Sequence, residues 1–121
     1  MDIRLQPKEG YLLVEAGGGY SAADGREAIV RIRGECARLG MSRVLVDARG
    51  LDATVSVAER FELARALAEG CTASVRYAIL VKPEQMIVKT LENTAMNRGV
   101  PVQTTASPEE AYGFLGLAPP A

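Results

Sequence analysis

The stretch from Arg43 to Arg60 does most to constrain the fold. A short apolar run, Val44-Leu45-Val46, ends on Asp47, and Ser56-Val57-Ala58-Glu59 further on has the spacing of a helix-starting capping box. The run is unbroken rather than alternating, which fits a strand buried on both faces. Phe61, Ala64, Leu67 and Ala68 then recur at helical spacing as a buried stripe. A buried strand leading into an amphipathic helix is the building unit of an α/β domain.

The same grammar runs through the rest of the chain. Strands are expected over Asp2–Leu5 and Tyr11–Glu15, separated by a turn containing Pro7 and Gly10. Gly17-Gly18-Gly19 breaks the second strand, and Ser21 with Asp24 opens a helix whose buried face carries Ile29, Ile32, Cys36 and Leu39 before Gly40 ends it. Gly70 closes the helix that begins at Ser56. A strong strand follows over Val75–Val81, then Pro83 starts a third helix with Ile87, Leu91 and Ala95 on one side, ending at Asn97-Arg98-Gly99. A last strand spans Val100–Thr104, with Pro101 at its start or on the sheet edge. Ser107-Pro108-Glu109-Glu110 caps a short final helix carrying Ala111, Phe114 and Leu115. The order β-β-α-β-α-β-α-β-α implies an α/β fold: a single mixed, largely parallel sheet with helices packed on it and an antiparallel opening pair. Residues 1–116 are read as one domain and 117–121 as a frayed tail. Chain order leaves the spatial order of the strands open.

Composition narrows the function. With 121 residues, the chain has room for one domain with its own core. Its 14 basic and 15 acidic residues give a net charge of -1, so no global field draws nucleic acid or an anionic membrane. The absence of histidine removes the commonest general base and zinc ligand, and with them any Ser/His/Asp or Cys/His triad. Cys36 and Cys71 match no metal or redox spacing and read as reduced core thiols. Neither a cofactor nor a metal site is expected, and no defensible catalytic residue emerges. The N-terminus lacks the apolar core of a secretory signal, and no apolar run approaches the ~20 residues of a membrane span. A cytoplasmic protein without stable membrane insertion is the resulting expectation.

Ligands of open α/β sheets tend to sit beyond the carboxyl ends of the strands. Those ends carry Asp47 and Arg49, Lys82 and Glu84, and Thr104 and Thr105, which are therefore ligand-binding candidates, set against the plainer reading of solvated turn residues. The Gly17–Ser21 passage stands where a phosphate loop would, but it lacks the required spacing and lysine, and a flexible turn is the simpler reading. The third helix shows Met86, Val88 and Met96 beside its core stripe. This surplus suits a homodimer contact or an apolar-ligand pocket, and equally suits methionines filling core gaps.

The opening hairpin, the Val44–Asp47 strand with Gly50 and Leu51 behind it, the Asn97–Val102 passage and the Ser107–Ala111 helix start together resemble the STAS-type domains of anti-sigma-factor antagonists, in particular the small stand-alone group likened to CRAL-TRIO lipid-binding domains. The resemblance implies a non-enzymatic regulatory or protein-interaction module with a regulatory protein or kinase as partner. The CRAL-TRIO likeness implies the alternative, a binding domain for a small apolar ligand or lipid. In the phosphorylated antagonists an aspartate-serine pair lies between the third strand and the second helix, and the serine position falls on Ser56. Here the preceding residue is Val55 and the following one Val57, both departures from that pattern. Ser56 is thus the phosphoacceptor candidate, with a plain helix cap as the competing reading.

Overall fold

The computed structural model describes residues 1–51, 56–68, 75–83 and 101–118. Five strands, β1 (Asp2–Lys8), β2 (Tyr11–Gly18), β3 (Arg43–Leu51), β4 (Arg76–Leu80) and β5 (Val102–Thr105), form one sheet in the order β1-β2-β3-β4-β5. The described helices are α1 (Ala22–Leu39), α2 (Val57–Ala68) and α3 (Pro108–Phe114). β1 pairs antiparallel with β2, and every later pairing is parallel. The spatial order that the sequence left open is simply the chain order.

The strands are longer at the first two crossings than the turn residues suggest. β1 runs through Pro7, which sits opposite Leu12 on an edge strand where its missing N–H does little harm. The turn shrinks to Glu9-Gly10, with Gly10 at φ 87°, a conformation only glycine adopts readily. Gly17 and Gly18 extend β2 rather than breaking it, because β3 also continues, and the two strands stay paired as Gly17↔Gly50 and Gly18↔Leu51. Between Glu15↔Asp47 and Gly17↔Gly50 the register slips by one residue on β3, a bulge. A Cβ on Gly50 would stand 3.0 Å from the Ala16 carbonyl oxygen, so the backbones approach there as closely as a bare glycine allows.

The two faces of the sheet are covered differently. Leu12, Val14, Val44, Tyr77 and Val102 point to one side and form the main core with Ile29, Ile32 and Cys36 of α1 and Ala66 of α2. Leu12 and Val44 are completely inaccessible, and each such aliphatic burial contributes about 1.5–3 kcal/mol. On the opposite side Leu45, Ala78 and Leu80 pack beneath Ala111 and Tyr112 of α3 and Leu115 at its C-terminal cap. The expected stripe of α1 is buried as read, except that Leu39 is only half-buried. Ser21 caps α1 by accepting from the Asp24 N–H at 3.2 Å, and Gly40 ends it at φ 67°. Leu117, assigned by sequence to the frayed tail, is half-buried, and its N–H donates to the Tyr112 carbonyl at 2.9 Å. Cys36 is buried and reduced, and burial pushes its thiol pKa upward. Cys71, Glu84, the helix expected after Pro83 with Met86, Val88 and Met96, and the passage from Asn97 to Val100 lie outside the described residues.

Candidate functional site

The carboxyl ends of the parallel strands gather most of the candidate residues, but the sheet divides them. Thr104 alternates with Val102 and so belongs to the α1/α2 face, as does the start of α2 with Ser56. Asp47 and Thr105 belong to the α3 face, where Asp47 aligns with Leu80 and Leu80 with Thr105 across β3, β4 and β5. Lys82 lies just past β4 and is exposed. Of the residues expected to line one crevice, Asp47, its partner Arg49 and Thr105 thus gather on the α3 side, while Thr104 lies on the other side of the sheet.

On the α3 face the polar groups answer one another. Arg49 donates to Asp47 through Nε (3.0 Å) and Nη2 (2.9 Å), and its backbone N–H also reaches Asp47 Oδ1 at 3.2 Å. This two-pronged pair braces the β3 bulge, and the guanidinium holds the Asp47 carboxyl below the usual carboxylate range against the opposing effect of partial burial. Thr105 is buried; its hydroxyl donates to Glu110 at 2.8 Å and accepts the Ser107 N–H at 3.0 Å. Ser107 in turn accepts the Glu110 N–H at 3.3 Å. The capping box at α3 thus closes through Thr105 as a relay, which explains a buried hydroxyl without a ligand.

On the other face α2 opens with the reciprocal box. The Ser56 hydroxyl accepts the Glu59 N–H at 3.1 Å, and the Glu59 carboxylate accepts the Ser56 N–H at 3.0 Å. Ser56 is exposed, so its hydroxyl is accessible while still engaged as a cap. Sequence reasoning missed the neighbour of this box. Tyr20, in the link between β2 and α1, is half-buried, with its ring against Gly25 of α1 and the phenol oxygen filling the space a Cβ at position 25 would occupy. Leu63 of α2 also reaches that space, 3.2 Å from the same Cβ position. Burial, followed by the Glu59 and Asp24 carboxylates, pushes the Tyr20 pKa up to about 12. The first turns of α1 and α2 therefore meet at one tyrosine. The available signal was Gly25 itself, a poor helix former inside an otherwise regular helix.

Among the described residues, no group of His, Cys, Asp and Glu could hold a metal ion, and no helix is long and apolar enough to cross a membrane.

Comparison with protein-family models finds no match, and comparison with curated proteins finds none. Solved structures do match. The chain is similar to an anti-sigma factor antagonist from Mycobacterium paratuberculosis, with a TM-score of 0.62 and 13% identity over 95% of this chain and 93% of that one. It is also similar to an uncharacterised protein with a SpoIIAA-like fold from Shewanella loihica, with a TM-score of 0.54 and 15% identity over 94% of this chain and 92% of that one. The fold is thus STAS-like, and the α/β class read from the sequence is borne out. At these identities the likeness is one of fold.

Proposed function

We propose that a chain with this STAS-like fold acts as a non-enzymatic regulatory module that works by binding another protein, with Ser56 as its phosphoacceptor. The observation that carries the reading is the fold shared over nearly the whole chain with an anti-sigma factor antagonist, combined with an exposed hydroxyl at the N-cap of the helix that follows β3. A regulatory protein, an anti-sigma factor or its kinase, is the corresponding partner class. The lack of histidine in the chain argues in the same direction, away from ordinary hydrolytic chemistry.

The chemistry of a switch follows from the box. A phosphoryl group on Ser56 Oγ adds close to two negative charges at neutral pH. Free N–H groups and the helix dipole at the start of α2 favour that charge, whereas the Glu59 carboxylate, held against the Ser56 N–H, opposes it. Modification would therefore expel Glu59 from the box and alter the surface it shares with Tyr20. Unmodified and modified forms would present different charge and shape to a partner.

The test is to incubate the protein with ATP and the serine kinases of its host and to map any phosphoryl group by mass spectrometry. Modification at Ser56, absent in Ser56→Ala, supports the reading. Modification elsewhere, or none with any kinase, removes the switch from it. The apolar-ligand alternative has its motivating residues, Met86, Val88 and Met96, outside the described residues, and no observed feature favours it.

A further inference from the structure

The amino end of the sheet carries a basic row far along the strands from Ser56. Lys8 of β1 is in register with Tyr11 of β2, the next pairing places Leu12 beside Val44, and Arg43 of β3 is in register with Arg76 of β4. Tyr11 and Arg76 both lie on the α3 face, so alternation along the strands puts Lys8 and Arg43 there too. Lys8, Arg43 and Arg76 are exposed. With strands ~4.8 Å apart, the row spans roughly 14 Å.

Arg26, Arg38, Arg49 and Arg65 each hold a carboxylate. Among the described residues, none lies within ion-pair distance of Lys8, Arg43 or Arg76. Arg76 is anchored through Nη1 to the Phe114 carbonyl at 3.0 Å, its guanidinium 5.0 Å from the centre of the Phe114 ring. Arg43 faces it as a like charge on the neighbouring strand, an arrangement that disfavours the free protein. Half-buried Tyr11, Phe114 and Leu117 lie beside the row and offer apolar area next to the charge.

We propose that the row Lys8–Tyr11–Arg43–Arg76, with Phe114 and Leu117, docks an acidic segment of a partner protein that also carries an apolar side chain. Charge complementarity names the sign of the partner. The mixture of cations with aromatic and aliphatic surface favours a peptide that carries both acidic and apolar side chains over a nucleic-acid polyanion. This surface lies at the opposite end of the strands from Ser56 and does not depend on phosphorylation there.

The test uses the full chain and a fluorescently labelled deca-glutamate peptide containing one central phenylalanine, followed by anisotropy at low salt and at about 0.15 M salt, where the screening length is roughly 8 Å. Binding that weakens with salt, and falls roughly tenfold or more in Lys8→Glu/Arg43→Glu, is the expected result, since a tenfold change is the loss of about 1.4 kcal/mol. Arg43→Glu also exchanges a like-charge neighbour of Arg76 for an opposite one, so its melting temperature should hold or rise while binding falls. Loss of binding through misfolding would lower it instead. If the double variant fails to fold, the milder Lys8→Gln and Arg43→Gln variants must each weaken binding. Equal binding by wild type and folded variants overturns the proposal, and so does tighter binding of a single-stranded oligonucleotide of the same charge than of the peptide.

Discussion

Tyr20 and Gly25 are shaped to one another: the phenol oxygen occupies the volume that any side chain at position 25 would need. Because the obstructing atom is the far end of a flexible side chain, Gly25→Ala is expected to fold, with the gain of up to ~1 kcal/mol that alanine brings to a helix offset by eviction of the ring. The evicted phenol should titrate closer to its ordinary value of 10.0 instead of about 12. Spectrophotometric titration, with Tyr20→Phe to identify the transition, checks this.

The same shift fixes the sign of an alkaline effect. The unfolded chain releases the Tyr20 proton near 10 and the folded chain near 12, so the stability linked to this group is complete below pH 10 and is lost as the pH rises through the folded value. Tyr20→Phe should lose less stability between pH 10 and 12 than the wild type, measured by urea denaturation.

Asp47 gives the acidic counterpart. Its carboxyl is held low by Arg49, so its contribution is present above the unfolded value of about 3.9 and lost as the pH falls through the folded one. Arg49→Met should return the Asp47 titration to the ordinary carboxylate range, followed by carboxyl-carbon NMR. The effect on stability is expected to be small, because the arginine is half-exposed.

Thr105→Val removes the hydroxyl that links the Ser107 N–H to Glu110 while preserving side-chain shape. Leaving that part-buried N–H without its partner should cost about 1 kcal/mol, toward the low end of the range for an unsatisfied buried group, read from the denaturation midpoint.

The strand-helix alternation was legible because each element carries its own punctuation: Ser21, Ser56 and Ser107 are all caps, and Gly40 ends α1 with a left-handed residue. What escaped sequence reading depends on long-range pairing. Gly17 and Gly18 look like a break, yet they are strand residues because Gly50 lies beside them on β3. The candidates Asp47, Arg49, Lys82, Thr104 and Thr105 share the carboxyl end of the sheet as expected, but which face each side chain occupies follows from strand parity and register, which separate Thr104 from Thr105. Tyr20 carries no motif at all. Its place beside the Ser56–Glu59 box arises from the packing of α1 on α2.

The most direct test of the regulatory reading is the affinity of the isolated protein for an anti-sigma factor of its host, the partner class that the reading proposes, measured by calorimetry for the wild type, Ser56→Ala and Ser56→Asp. Ser56→Ala loses a cap worth ~1 kcal/mol of stability and should still bind as the wild type does while folded. Ser56→Asp can cap the helix but adds the charge, and its affinity should fall roughly tenfold or more. Equal affinity for all three folded proteins would contradict the account, leaving Ser56 as a helix cap alone.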